Sequence, residues 1–210
     1  MADWQTISSL ATAAGTLVLA VATFSAVRSS NRSARIAEAA LRTGLRPLLI
    51  QSRAADPDLK VLWSDQHAAR LAGGSAIFEE RNGVIYLAMA LRNAGAGSAL
   101  LHGWYPMVDR AFANLPPASP GDFRRLTIDL YVPPSDTGFW EGAVRDPADP
   151  LRPGLLTALS GRQPVTIDLL YGDQEGGQRT ISRFTVLPAG EEGWYCQVAR
   201  HWNLERPDPR

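Results

Sequence analysis

The chain has 210 residues with 21 basic and 21 acidic side chains, so its formal net charge is zero. A neutral balance removes the electrostatic argument for a nucleic-acid partner. Cys196 is the single cysteine, which excludes an intramolecular disulfide and a cysteine-based metal cluster within one chain. A lone thiol is typical of a reducing compartment, because oxidising compartments favour paired cysteines.

The N-terminal segment Trp4–Val27 contains no charged side chain. A helix of this length reaches about 36 Å, which is enough to cross a hydrocarbon core of roughly 30 Å. The segment therefore predicts one membrane-spanning helix, with Trp4 at the level of the lipid headgroups. Two alternatives stay open: a secretory signal peptide, with Ala20-Val21-Ala22 as its cleavage site, and a buried helix of a soluble protein.

The charges that flank this segment predict its orientation. Its N-terminal side has no lysine or arginine. Its C-terminal side has five arginines: Arg28, Arg32, Arg35, Arg42 and Arg46. The positive-inside rule places such a flank in the cytoplasm. We therefore expect a single-pass protein of the inner or plasma membrane whose C-terminal domain is cytoplasmic.

Helical periodicity continues beyond the apolar segment to about Leu45. Pro47 ends the helix, because the residue before a proline is pushed away from helical angles. The expected organisation is a transmembrane and stalk helix over 1–46, a β-domain over 47–204 and a C-terminal tail over 205–210. The basic face of the stalk either contacts anionic headgroups or is solvated.

After the helix, the hydrophobic period changes to two, and Gly- and Pro-rich turns separate short segments. Strands are predicted at 47–53, 59–63, 84–92, 98–108, 125–132, 165–171, 179–187 and 194–202, with one short helix at 154–160. Val84–Arg92 is apolar on both faces, which is typical of a central strand with the stalk or a loop over its second face. The fold class is therefore mainly β with an N-terminal α-helix. We expect an antiparallel, immunoglobulin-like β-sandwich tethered to the long helix.

Four side chains are candidate ligand- or partner-binding residues: Trp104, Trp140, Arg200 and Trp202. Alternation along the last predicted strand puts five side chains on one face: Trp194, Cys196, Val198, Arg200 and Trp202. The tryptophans at its two ends are either core filler or a platform for stacking a base or sugar, and Arg200 can stack on an indole ring.

Two glycine- or acid-rich segments have both a structural and a functional interpretation. Asn93–Gly97 contains a Gly-x-Gly. Because strands are predicted on both sides, a turn or bulge that glycine permits is favoured, and the alternative is a phosphate-binding loop. Asp168, Asp173 and Glu175 lie close in sequence. They indicate a polar hairpin tip or, alternatively, a divalent-cation site that lacks EF-hand spacing.

No catalytic residue, cofactor or metal site is assigned from the sequence. His67, His102 and His201 are scattered, and His-Glu-x-x-His, Walker and Gly-x-Ser-x-Gly patterns are missing. Asp136-Thr137-Gly138 matches the aspartic protease tripeptide, but it has no second copy and follows two prolines, so a loop is expected there.

Three segments carry a resemblance: Leu45-Arg-Pro-Leu-Leu49, Leu91-Arg-Asn-Ala-Gly-Ala-Gly97, and Gly177-Gln-Arg together with Arg200-His-Trp-Asn203. In these segments the chain resembles small bacterial membrane proteins, often actinobacterial. They share one N-terminal span, an Arg- and Ala-rich helix that ends in Arg-Pro, and a β-domain. The resemblance covers most of the chain and implies no particular activity.

The sequence favours a membrane-anchored cytoplasmic β-sandwich that binds a protein or a small molecule. The alternative is a membrane-bound sensor or effector for a nucleotide-like ligand, which a pocket lined by tryptophans and arginines would indicate. An enzyme comes third and would need His102 or His201 beside a carboxylate. The expected partners are the lipid bilayer through Trp4–Val27, an unknown protein or small molecule, and a second copy of the chain. The small-xxx-small pair Ala11 and Gly15 would join the two copies.

Overall fold

The computed structural model describes residues 3–108 and 115–205, without the side chains of residues 5, 6, 42 and 43. Except for Glu205, the predicted C-terminal tail therefore lies outside the described residues. The chain divides between Gly44 and Leu45 into two compact units, and each is described by itself.

The first unit is one continuous helix, α1, over Trp4–Gly44. Within Ile7–Leu41 it is long and apolar enough to span a membrane. The hydroxyls of Thr12, Thr16 and Thr23 each donate to the carbonyl oxygen four residues earlier, at 2.8–2.9 Å. Such bonds satisfy polar groups within the helix, which makes them compatible with lipid. The prediction of a single long apolar helix is confirmed, while its topology stays a prediction.

The second unit is rich in strands. In chain order its elements are β1 (Leu49–Gln51), β2 (Leu59–Leu62), β3 (Ala68–Leu71), β4 (Ser75–Arg81), β5 (Val84–Asn93), β6 (Ala99–Met107), β7 (Arg124–Val132), β8 (Thr137–Val144), α2 (Arg152–Ser160), β9 (Val165–Gly172), β10 (Thr180–Ala189) and β11 (Gly193–Asn203). Three strands, β3, β4 and β8, were not predicted. They are rich in alanine, glycine or glutamate, which have low β-propensity. The expected loop at Asp136-Thr137-Gly138 is wrong in part, because β8 begins at Thr137.

Nine of these strands form one antiparallel sheet in the order β8-β5-β4-β11-β10-β9-β6-β7, with β1 continuing the β4 edge of β5. The two ends of this path, β7 and β8, contact each other, but no ladder of hydrogen bonds joins them among the described residues. The sheet is therefore a half-barrel. The antiparallel β-rich domain is confirmed. An immunoglobulin-like sandwich of two sheets is not confirmed, because hydrogen bonds connect the nine strands in one path.

Strand β5 is central, as its sequence predicts. Its side chains Leu87, Met89 and Leu91 face the main core. On its other face, the side chains of β5 pack under the hairpin of β2 and β3, which contributes Trp63 and Leu71. Both faces are thus buried, and a hairpin, not a bare loop, supplies the cover.

The amide of Asn93, at the end of β5, joins three parts of the domain and is completely buried. Its Oδ1 accepts hydrogen bonds from the backbone N–H groups of Leu48, at 3.1 Å, and Gly95, at 2.9 Å. Its Nδ2 donates to the carbonyl oxygens of Gly97, at 2.7 Å, and Val132, at 3.0 Å. All four hydrogen bonds available to a side-chain amide are made. We call this arrangement the entry clamp, defined as Asn93, Gly95 and Gly97 with residues 45–48.

The glycines of the entry clamp are required because two backbone segments lie in direct contact. A Cβ on Gly97 would overlap the carbonyl oxygen of Leu45, and a Cβ on Gly95 would overlap that of Arg46. The Gly-x-Gly therefore acts as a close-packed strand connection, which is the structural interpretation of the Asn93–Gly97 motif.

Gly97→Ala is expected to destabilise the β-domain by about 1–3 kcal/mol, because its new methyl group meets rigid backbone. The matched control is Gly121→Ala, where nothing lies within 4 Å of the added Cβ, and its effect should stay within about 0.5 kcal/mol. Denaturant unfolding of the full chain in detergent micelles measures both. Equal stabilities for the two variants would contradict the role of the clamp.

Candidate functional site

The line along which β7 and β8 lie side by side, here called the seam, is closed at one end and open at the other. At the closed end, next to the turn 133–136, a Cβ on Gly138 would come 2.9 Å from Cγ2 of Val132. At the open end lies a cavity of about 160 Å³. Its lining includes Trp63, Trp104, Arg124, Arg125, Glu141 and Arg145. We call this cavity the seam pocket.

Three tryptophans surround Gly142 beside the seam pocket. The indole N–H of Trp63 donates to the carbonyl oxygen of Gly142 at 3.2 Å. Trp104 and Trp140 meet edge to face, with ring centroids 5.3 Å apart. A Cβ on Gly142 would lie 2.7 Å from the Trp140 ring and 3.2 Å from the Trp104 ring. Glycine at this position therefore lets aromatic rings form a rigid apolar wall.

Glu141 is the unusual group of the seam pocket. Its side chain is on β8 opposite Ala88 of β5, and the residue is only 6% exposed. Its Oε2 is buried without a hydrogen-bond partner among the described residues. Burial raises the pKa of this carboxyl group, while the nearby charge of Arg145 acts in the opposite direction. A buried carboxyl oxygen with no partner is costly and points to a ligand.

Two arginines of the seam pocket are held by carboxylates. Arg124 makes a two-pronged contact with Asp149, at 2.7 and 2.8 Å, and its guanidinium lies 5.7 Å from the Trp104 ring centre. The hydrogen bond from Arg124 lowers the pKa of Asp149. Arg145 donates from Nε to Asp65 at 3.1 Å. These pairs fix both guanidinium groups at the pocket wall.

Arg125 differs from these two because it has no ion-pair partner within residues 3–108 and 115–205, and its side chain is exposed. The seam pocket thus combines a buried carboxyl oxygen that has no partner in the described part of the chain and an exposed guanidinium. Neither group was identified from the sequence. The only signal was a single glutamate within the apolar run 139–144.

The structure brings the four sequence-predicted site residues together as two separate pairs. Trp104 and Trp140 are in contact in the main core, and they are 4% and 0% exposed. Arg200 lies over Trp202 at 5.7 Å, in a different cluster on the other face of the sheet. Trp104 borders the seam pocket, and the binding role of all four residues stays a prediction.

The prediction that Trp194 and Trp202 share one face of β11 is wrong. Phe184 of β10 pairs with Val198, but the preceding Arg183 pairs with Arg200, so Ala199 is left out as a bulge. A bulge inserts one residue and reverses the side-chain alternation beyond it. Trp202 therefore packs on the face opposite to Trp194.

The bulge places Trp202 next to a buried ion pair. Arg183 and Asp168 are 1% and 0% exposed, and their two hydrogen bonds measure 2.7 and 2.8 Å. Arg183 also donates to the carbonyl oxygen of Leu115 at 2.9 Å and lies 4.7 Å from the Trp202 ring centre. Both oxygens of Asp168 accept from Arg183, and within the described residues Asp168, Asp173 and Glu175 do not come together as a group of metal-ligating side chains.

The histidines lie in three separate environments. His201 Nδ1 is 2.6 Å from the hydroxyl of Ser182. Ser182 is completely buried, so a substrate does not reach this hydroxyl. Burial and the charge of Arg179 lower the pKa of His102. His67 contacts Glu79 at 2.9 Å and stacks on Tyr86. Among the described residues no group of three or more metal-ligating side chains occurs.

Comparisons with protein-family models, curated proteins and solved structures find no match to the chain. The resemblance to small actinobacterial membrane proteins therefore stays an expectation from short motifs. Arguments about function rest on the geometry of the seam pocket.

Glu141→Gln is expected to raise the stability of the protein near neutral pH by about 1 kcal/mol, since an uncharged amide is less costly to bury. The raised pKa of Glu141 means that folding favours its protonated form. Its contribution to stability is therefore present below the unfolded pKa and lost as the pH rises through the folded pKa. The advantage of Glu141→Gln should shrink in acid. Thermal unfolding across pH tests this, with the exposed Glu191→Gln as control.

Asp168→Asn is expected to destabilise the domain by about 3–5 kcal/mol, because it leaves the charge of Arg183 buried without its partner. Replacing both residues, by Asp168→Leu with Arg183→Met, should recover most of this loss. Denaturant unfolding of Asp168→Leu, Arg183→Met and the double variant gives the coupling energy. An additive double variant would mean that the two side chains act independently.

Proposed function

We propose that the protein is a single-pass, membrane-anchored binding module whose β-domain lies in the cytoplasm and takes up a small ligand in the seam pocket. The observation that carries the binding role is Glu141, which lines an open cavity and has a buried carboxyl oxygen without a hydrogen-bond partner among the described residues. A residue that weakens the fold and faces a cavity is a functional candidate, because stability alone favours its replacement.

The anchoring role is supported by α1. Its apolar part is long enough for a bilayer, and its exposed arginines follow directly on the C-terminal side. These arginines match the positive-inside pattern and favour the cytoplasmic face for the β-domain. The same guanidinium groups suit contact with anionic headgroups. A homodimer through Ala11 and Gly15 is compatible with this role but is not needed for it.

A nucleotide-like ligand is the second candidate, because Arg124 stacks on Trp104 at the pocket wall. Two features favour a smaller ligand. The cavity of about 160 Å³ lies below the roughly 300–1,000 Å³ of typical ligand sites. In addition, Arg124 is already paired with a carboxylate, so fewer of its N–H donors are available to a phosphate.

Topology can be tested with cysteines placed on the two sides of α1. The native Cys196 is 3% exposed, and burial raises its pKa to about 12, so it should not react with thiol reagents in the folded protein. Glu175→Cys places a thiol on an exposed hairpin tip, and Asp3→Cys places one before the helix. With an impermeant reagent, Asp3→Cys should be labelled in intact cells, and Glu175→Cys only after permeabilisation.

The unsubstituted protein is the control, and it should stay unlabelled in both conditions until it is denatured. Labelling of Glu175→Cys in intact cells would contradict the cytoplasmic assignment. Recovery of the protein in the soluble fraction, without detergent, would contradict the anchor.

A further inference from the structure

We propose that the seam pocket binds a small zwitterion, a free α-amino acid, with its ammonium group on Glu141 and its carboxylate on Arg125. The inference rests on the proposed function only in its use of the seam pocket and not in the membrane topology. It is argued from the partners, charges and size that the pocket offers.

The buried carboxyl group of Glu141 favours a ligand with a cationic hydrogen-bond donor. Glu141 is 6% exposed, and its Oε2 has no hydrogen-bond partner in the described part of the chain. A buried carboxylate is stabilised when it is both paired and hydrogen-bonded. An ammonium group supplies a positive charge and three donors at once.

The exposed guanidinium group of Arg125 favours a ligand with a carboxylate. Arg124 and Arg145 already bind Asp149 and Asp65. Arg125 is exposed and lies at the same cavity without an ion-pair partner among the described residues. Its planar guanidinium can give two parallel donors to one carboxylate.

The charges of the pocket balance, which favours a dipolar ligand over an ion of either sign. The three arginines at the cavity are matched by three carboxylates, those of Glu141, Asp65 and Asp149. A simple anion would leave Glu141 unpaired, and a simple cation would meet the uncompensated charge of Arg125. A zwitterion satisfies both groups and leaves the total charge unchanged.

The size of the cavity sets an upper limit for the ligand. Its volume is about 160 Å³, which is roughly the volume that five molecules occupy in liquid water. Trp63 and Trp104 line it with apolar surface and are nearly buried, so they leave little room for stacking. An amino acid with a small side chain fits these limits better than an aromatic one.

Binding can be measured on the full-length protein in detergent micelles, with glycine, L-alanine, L-serine and L-valine as probes. Thermal shift and tryptophan fluorescence are the readouts, and acetate and methylammonium at the same concentration are the single-charge controls. At least one amino acid should bind, and both controls should fail to bind at that concentration.

The variants then assign the two ends of the ligand. Glu141→Gln should weaken binding at least about thirtyfold, since it removes the partner of a desolvated charge. Arg125→Ala should weaken it about tenfold. The exposed Arg53→Ala, away from the cavity, is the matched arginine control and should leave binding unchanged. Glu141→Gln is expected to be more stable than the parent protein, so its loss of binding cannot be attributed to unfolding.

The inference is overturned if no probe binds, if acetate or methylammonium binds as tightly as the best amino acid, or if Glu141→Gln binds like the unsubstituted protein. These results are separate from those for the anchor. A protein that binds L-alanine but fractionates as soluble removes the anchor and keeps this inference. A protein that stays in the membrane and binds no probe keeps the anchor and overturns this inference.

Discussion

The hydrogen bonds of Asn93 are the interaction on which the shape of the β-domain depends. A side-chain amide that is completely buried must satisfy two donor and two acceptor positions, and Asn93 does so with four backbone groups from three segments. Its own backbone N–H and carbonyl oxygen bond to Asp136 and Ser135. One residue therefore fixes where the domain begins, where β6 starts and where β7 turns into β8.

This constraint explains why the seam is closed at one end only. The turn between β7 and β8 is held against Asn93, and Gly138 there packs directly on Val132. Farther from the turn, β7 departs from its partner β6. Leu101 pairs with Leu130 and Gly103 pairs with Arg125, so residues 126–129 bulge out of the ladder. Along this stretch β7 bends away from regular pairing, and it forms no ladder with β8 among the described residues. The half-barrel stays open there, and the seam pocket occupies the gap.

The sequence predicted correctly those elements whose hydrophobic pattern is set by neighbouring residues in the chain. The uncharged run predicted α1, and the two-sided apolar pattern of β5 predicted a central strand with both faces covered. The interpretation of Asn93–Gly97 as a strand connection also follows from local sequence, although the reason for its glycines does not. They are needed because residues 45–46 lie against them, and a contact across half the domain leaves no trace in the local sequence.

The candidate site could not be predicted for the same physical reason. Its residues come from the end of β2, from β6, from β7 and from β8. Only Trp104 of β6 was a candidate from the sequence, and β8 itself was not predicted because of its glycines and its low β-propensity. Alternation also failed along β11, because a bulge at Ala199 exchanges the two faces. Bulges depend on how a strand meets its neighbours, so a rule based on period two cannot reveal them.

Two other carboxylates of this domain are each paired with an arginine. Asp168 is completely buried and has both oxygens bound by Arg183. Asp149, which is only partly buried, is bound in the same two-pronged way by Arg124. Glu141 lies within the same sheet and has an oxygen with no partner among the described residues. Trp140 and Thr180 also have a buried polar atom that finds no partner within the described ranges, but those groups are neutral and cost less to bury. The domain thus has the means to neutralise a buried carboxylate from within. Among residues 3–108 and 115–205 it does not do so for Glu141, which lines a cavity, and this supports the proposal that a ligand supplies the partner.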